Sequence, residues 1–205
     1  MSTENVIKEA IDALLRARPG FWSRTACGVT RSLAPIQGLL DRNAYSVETA
    51  RTRILLIGGL SGDKADVDMA LHALELFAGG GDALSLRIAL SAVPCANPDG
   101  LRLNDGPGNG AGGNPTGDYP PEGKFYYDPE DPEKRYLWRW VCFQAPELVL
   151  ELTSGSSVKW EYNQAAYSLA PGLGGRPVSG GQGLLAALGS GHPDGLGTIP
   201  GLRLT

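Results

Sequence analysis

Residues Arg53–Lys64 read RILLIGGLSGDK. The unbroken apolar run 53–57 has the length and character of a buried strand. Glycines at 58, 59 and 62 then break the pattern, and a helix follows over Asp66–Ala78. Val67, Ala70, Leu71, Leu74 and Phe77 share one face of that helix, and Gly79-Gly80-Gly81 marks its end. A second apolar run, SLRIALSAV at Ser85–Val93, predicts the next strand. Strand, helix and strand at this spacing form a βαβ unit, which requires parallel pairing. Open α/β sheets build their sites at the carboxyl ends of strands. The side chains offered at this turn are Ser61, Asp63 and Lys64.

The pattern extends in both directions. Val6, Ile7, Ala10, Ile11, Leu14 and Leu15 recur at helical spacing over 3–17, and Pro19-Gly20 stops the run. Residues 97–127 are rich in Gly, Pro and Asn, a long aperiodic loop of the kind that often carries function. Asp131 is a good N-cap, Pro132 suits the first helical position, and Glu133 favours the positive end of the helix dipole. Tyr136, Leu137, Trp140 and Val141 supply the apolar face of that helix. Pro146 closes the connection, and Glu147–Leu152, ELVLEL, reads as a third strand. After Ser154 the chain is glycine-rich, with one short helix predicted at Leu184–Leu188. The expected fold class is therefore α/β: a single domain over 1–205, with a mixed, largely parallel sheet and helices on both faces.

The chain has 205 residues, 42% of them hydrophobic, which suits one domain with a sizeable core. A net charge of −4 with no basic run gives nucleic acid nothing to bind. Three widely spaced cysteines, Cys27, Cys95 and Cys142, form neither a disulfide framework nor a zinc ribbon; they read as buried free thiols in a reducing compartment. The first residues, MSTENVIKEAIDALL, are too polar for a secretory signal. No segment approaches the ~20 apolar residues of a membrane span. The expected location is the cytoplasm.

Several pieces recur in one order: Gly58-Gly59-Leu60-Ser61-Gly62-Asp63-Lys64, then Val93-Pro94-Cys95-Ala96-Asn97-Pro98-Asp99-Gly100. Asn109, Gly112 and Tyr119-Pro120-Pro121 follow, then Pro146-Glu147-Leu148-Val149-Leu150-Glu151-Leu152. In this order they resemble the zinc carboxypeptidase family, including its short bacterial peptidoglycan-peptide amidase branch. The resemblance is strongest over 50–154. It implies that family's α/β fold, apparently shortened at the C-terminal end, because the family domain continues well beyond the position of Thr153. It also implies a metal site built from a His-Gly-x-Glu turn and a His after the third strand.

This chain departs from that pattern. Ser61 and Lys64 stand where the first His and the Glu would be, and Thr153 stands where the second His would be. Counting back from Tyr119 puts Pro107 and Gly117 where the family's substrate-binding arginines lie. Thr116 takes the place of a second Asn, and Asn109 alone matches. The late glutamate of the family falls in a C-terminal segment that this chain is expected to lack. Catalytic zinc wants three N, S or O ligands. Hydroxyls are poor substitutes, and an ammonium opposes a divalent cation by about 1–4 kcal/mol per unit charge at ~4 Å. Without the metal, no water is acidified, and without an arginine a substrate carboxylate loses its bidentate partner. The resemblance thus implies a relative without zinc and without catalysis, its cleft left for a peptide or protein partner. Asp63, Asn97, Asp99 and Glu151 are candidates to line that cleft. In one variant of this reading, Lys64 replaces the metal charge and pairs with Asp63 or Glu151.

Two other readings compete. Gly59-Leu60-Ser61-Gly62-Asp63 sits where a nucleophile elbow would, and Asp99 and His192 follow in hydrolase order. Alternatively, Asp63, Glu151 and His192 could hold a metal of another kind. The other histidine, His72, falls on the polar face of its helix with Asp68 and Glu75. Gly106–Gly113 neither follows a strand nor opens a helix, so it is not a phosphate cradle. Beyond Ser154, either the missing strands leave a sheet edge open to another copy of the chain, favouring a homo-oligomer, or 155–205 forms a compact substitute.

Overall fold

A computed structural model describes residues 3–104, 106–117, 119, 130–168, 174–178, 183–191 and 197–205. The helix α1 (Thr3–Ala17) leads into a hairpin of β1 (Trp22–Val29) and β2 (Pro35–Asp41). Then come β3 (Thr52–Ile57), α2 (Lys64–Gly79), the short α3 (Asp82–Ser85), β4 (Ile88–Val93) and α4 (Pro98–Leu103). The second half holds α5 (Pro132–Gln144), β5 (Leu148–Leu152), β6 (Trp160–Tyr162), β7 (Arg176–Pro177), α6 (Leu184–Ser190) and β8 (Gly201–Leu204).

Among the described residues these strands form one eight-stranded sheet in the order β1-β2-β4-β3-β5-β8-β6-β7. Its centre is parallel: β3 pairs with β4 on one side and β5 on the other, and β5 pairs with β8. The β2 strand joins antiparallel to β4, and β6 antiparallel to β8. Strand side chains alternate between faces. Leu55, Ile57, Val93 and Val149 pack with α5 and α6 through Leu137, Val141, Leu184 and Leu188. Leu56, Leu90, Ala92 and Leu152 pack with α1 and α2 through Ile11, Leu14, Ala70 and Leu74. The expected mixed sheet with helices on both faces is therefore present.

Three expectations need correction. The apolar run from Ser85 begins in α3, and β4 starts only at Ile88. The long loop after Asn97 contains α4, because Asn97 caps it by accepting from the Gly100 amide and Pro98 occupies its first turn. The sheet is not cut short after β5. Leu150, Glu151 and Leu152 pair with Leu202, Arg203 and Leu204, so β8 covers the edge from which pairing between copies was expected.

The hairpin that precedes β3 has no counterpart in the sequence reading. It carries Gly28 at a bulge between Ala26 and Gly28, where a Cβ would run into the Tyr136 side chain of α5. Glycine lets α5 lie directly on the strand. No helix among the described residues is long and apolar enough to cross a membrane. The three cysteines are free thiols. Burial pushes the Cys95 thiol up to about 12 and the Cys27 thiol up as well, which favours the protonated form of both.

Candidate functional site

The turn between β3 and α2 and the end of β5 meet at the carboxyl ends of two adjacent parallel strands, with Ile57 level with Glu151. Gly62 has φ +72°, and a Cβ there would lie 2.7 Å from the Gly106 carbonyl oxygen. Glycine therefore allows the tight turn and lets the 106–117 loop lie against it.

Within this turn, one buried carboxylate organises the polar groups. Asp66, 3% exposed, accepts the Ser61 hydroxyl proton on Oδ2 at 2.5 Å and the Ser154 amide on Oδ1 at 2.5 Å. Ser61 Oγ in turn accepts from the Asp63 amide at 3.0 Å. Asp66 thus ties the turn after β3 to the residue after Thr153. Thr153 Oγ1 shares a hydrogen bond of 2.9 Å with Thr205 Oγ1, and its amide donates to the Leu204 carbonyl.

Lys64 lies outside this arrangement. Its ammonium contacts both carboxylate oxygens of Asp68, one turn along α2, with side chains 72% and 56% exposed. The expected pairing with Asp63 or Glu151 is therefore incorrect: the helix puts position i+4 within reach. Asp63 caps α2 by accepting from the Ala65 amide. Glu151 pairs with Arg203 of β8 at 3.0 Å, and Arg203 also reaches Glu161 of β6 at 3.1 Å. Burial opposes the Arg203 charge, but the two glutamates overcome it and leave its pKa raised.

The loop residues are engaged by the protein itself. Asn97 Nδ2 donates to the carbonyls of Pro107 and Gly108 at 3.4 and 3.2 Å. Asn109 donates to the Glu130 carbonyl at 2.7 Å and to Glu133 Oε2 at 2.9 Å, and accepts from the amides of Ala111 and Gly113. Its carboxamide is thus committed to the loop and to α5 rather than turned to a cleft. Thr116 donates through its amide and hydroxyl to Asn114 Oδ1, and the Gly117 amide donates to the Asn114 carbonyl. Asp99 accepts from the Ser32 amide and hydroxyl at the tip of the hairpin. Burial raises the Glu133 pKa, opposed by donors that include Asn109 and the Arg31 amide. The Tyr119 hydroxyl donates to the Pro115 carbonyl, and burial with nearby Asp131 and Glu151 raises its pKa well above the ordinary value.

These positions do not fit zinc. Two hydroxyls and an outward ammonium offer no ligand set, and among the described residues no group of three or more His, Cys, Asp or Glu side chains could hold a metal ion. Of the other metal set, Asp63 caps α2 and Glu151 pairs with Arg203, while its third member, His192, lies outside the described residues. The strand β8, unforeseen in the sequence, carries Gly, Leu, Arg and Leu and no acid. Of the hydrolase order, Asp99 accepts from Ser32 and Ser61 hydrogen-bonds to Asp66. His72 is exposed on α2, 3.5 Å from Glu75. His192 and the Pro120-Pro121 pair lie outside the described residues.

Sequence reasoning missed Asp66, Ser154 and Arg203. Asp66 reads as an ordinary first-turn acid, and its partner Ser154 lies 88 residues away.

No family model matches the sequence, and no curated protein matches it. Solved structures do. A metallo-carboxypeptidase from Burkholderia cenocepacia superposes with TM-score 0.63 at 16% identity, covering 80% of this chain and 45% of that one. A protein from Shewanella amazonensis SB2B, assigned as a metallopeptidase, gives TM-score 0.69 at 14% identity, covering 97% of this chain and 82% of that one. A metallo-carboxypeptidase from Pseudomonas aeruginosa, in complex with (2-guanidinoethylmercapto)succinic acid, gives 0.66 at 13% identity, covering 96% and 58%. The chain thus spans less than half of the Burkholderia protein and most of the Shewanella one. Taken with the strand order and the paired turns, these likenesses show that the chain has the metallocarboxypeptidase fold.

Proposed function

We propose that this chain is a non-catalytic relative of the zinc carboxypeptidases, a cytoplasmic protein that binds a peptide or protein partner without cutting it. One observation carries the reading. The positions that would hold a metal are Ser61, Lys64 and Thr153, and the hydroxyls of Ser61 and Thr153 are hydrogen-bonded to Asp66 and Thr205. A carbonyl brought to this end of the sheet would find no Lewis acid and no acidified water. A peptide carboxylate would find Pro107 and Gly117 in place of guanidinium groups. Asn109, the one matching residue, already spends its donors on Glu130 and Glu133. The Ser61 hydroxyl donates directly to a carboxylate, and among the described residues no imidazole stands beside it to act as the base that makes a serine a nucleophile.

The test is metal retention and turnover together. The purified full chain, dialysed against zinc and then against metal-free buffer, is expected to keep far less than one zinc per chain by mass spectrometry of the metals. It is also expected to leave a panel of blocked dipeptides and peptidoglycan peptides intact. One zinc per chain with release of a C-terminal residue would overturn the proposal.

A further inference from the structure

The opposite end of the sheet, below the amino ends of β3 and β4, holds a cavity of about 300 Å³. Its cationic wall is Arg18, Arg42 and Arg51, facing the carboxylates of Asp41 and Asp82. Three guanidinium groups against two carboxylates leave an excess of one positive charge, in a chain whose net charge is −4. The apolar wall includes Phe21, whose ring also touches Trp22 and Phe77.

The three arginines are not equally committed. Arg51 is held firmly: it grips Asp41 through both terminal nitrogens at 3.1 and 2.8 Å and donates to the Ile88 carbonyl. Its buried Nε finds no acceptor among the described residues. Arg18 lies 5.1 Å above the Phe21 ring, donates through one terminal nitrogen to the Ala78 carbonyl at 3.2 Å and pairs through the other with Asp82 at 3.3 Å, a carboxylate 86% exposed and so easily exchanged. Arg42, exposed at the rim, has no hydrogen-bond or ion-pair partner among the described residues. The cavity therefore combines a fixed guanidinium, one held by a backbone carbonyl whose carboxylate partner is exchangeable, and one without a partner among the described residues, beside an aromatic wall. Guanidinium groups bind carboxylate and phosphate oxygens bidentately, and a pocket of this size suits a small molecule.

We propose that this cavity is a binding site for a small organic anion: an oxyanion, carboxylate or phosphate, carried on an apolar or aromatic body. The oxyanion engages Arg42 and Arg18, displacing Asp82, and the body lies against Phe21. The site is separate from the turn at Ser61 and does not depend on whether that turn is catalytic.

Amide spectra of the full chain titrated with phenyl phosphate, benzoate and inorganic phosphate test it. Phenyl phosphate or benzoate at ~10 mM or below is expected to move resonances in 18–21, 41–42 and 82–86. Preference for one over the other tells phosphate from carboxylate. Arg42→Ala, at an exposed and unpaired position, should retain the native spectrum and bind the preferred probe about tenfold more weakly. No movement in those segments, undiminished binding by Arg42→Ala, or inorganic phosphate binding as well as phenyl phosphate would overturn the proposal.

Discussion

The two ends of the sheet use their polar residues in opposite ways. At the carboxyl end, Ser61, Asp66, Asn97, Asp99 and Asn109 each have partners within the chain, and several are buried. At the amino end, a cavity is walled by arginines of which one, Arg42, has no partner among the described residues. A buried polar group with a full set of protein partners stabilises a conformation, whereas a group without partners is available to a ligand. Among the described residues, the end where this fold would place its chemistry carries internal cross-links, and a guanidinium without a partner lies at the opposite end.

The contrast is broken most directly at Asp66. Asp66→Ala would leave the Ser61 hydroxyl and the Ser154 amide without their acceptor. A cost of about 2–3 kcal/mol follows from two orphaned donors, and chemical denaturation should read it as a lower midpoint at unchanged slope. Asp66→Asn, which keeps one acceptor, should lose less. Equal stability of all three proteins would mean that the carboxylate is not the link between the β3 turn and the end of β5.

Much of this contrast was hidden from the sequence, for physical reasons. The centre of the sheet was legible because β3, α2 and β5 have strong local periods: a continuous apolar strand, a 3.6-residue face, a capped helix start. The hairpin was not. Its first strand exposes every third position, Ser23, Ala26 and Val29, and includes Gly28, so neither hydrophobic alternation nor a run of β-branched residues announces it. The strand β8 has four residues and draws its stability from β5 and β6 rather than from its own pattern. At the site, the departures Ser61, Lys64 and Thr153 could be read from the motif register. Their partners could not, since Asp66 to Ser154 and Glu151 to Arg203 are contacts across the fold. The cavity gathers Arg18, Arg42, Arg51 and Asp82 from four separate segments.

Glu133 sharpens the comparison through pH. Its carboxyl, buried beside Asn109, has a pKa raised from 4.5 by loss of solvation. The folded chain therefore holds this proton more tightly than the unfolded chain. Below the unfolded value both states are protonated and the group contributes no pH dependence. As pH rises from about 4.5 through the raised value, the unfolded state ionises first and stability falls. Each unit of elevation amounts to about 1.4 kcal/mol. Glu133→Gln removes the titration, so the stability of the variant minus that of the native chain should grow as pH rises through this window. Any constant cost of a lost acceptor leaves that slope untouched. A difference independent of pH would show that Glu133 ionises in the folded protein as easily as in the unfolded chain.

The smallest effect is expected at Lys64, the most conspicuous departure in the sequence. A lysine standing in for a metal charge would be buried and paired across the turn, and its removal would cost several kcal/mol by leaving carboxylates without a partner. Lys64 instead meets Asp68 along the surface of α2, with both side chains more than half exposed. Exposed pairs at this spacing are worth about 0.3–0.5 kcal/mol and are screened by salt. Lys64→Ala should therefore shift the melting temperature by at most a degree or so, and raising the salt concentration should erase the difference. A large, salt-insensitive loss would put the ammonium inside the turn and restore it as a charge replacement. A negligible loss leaves Asp66, a side chain that attracts no notice in the sequence, as the group that closes this end of the molecule.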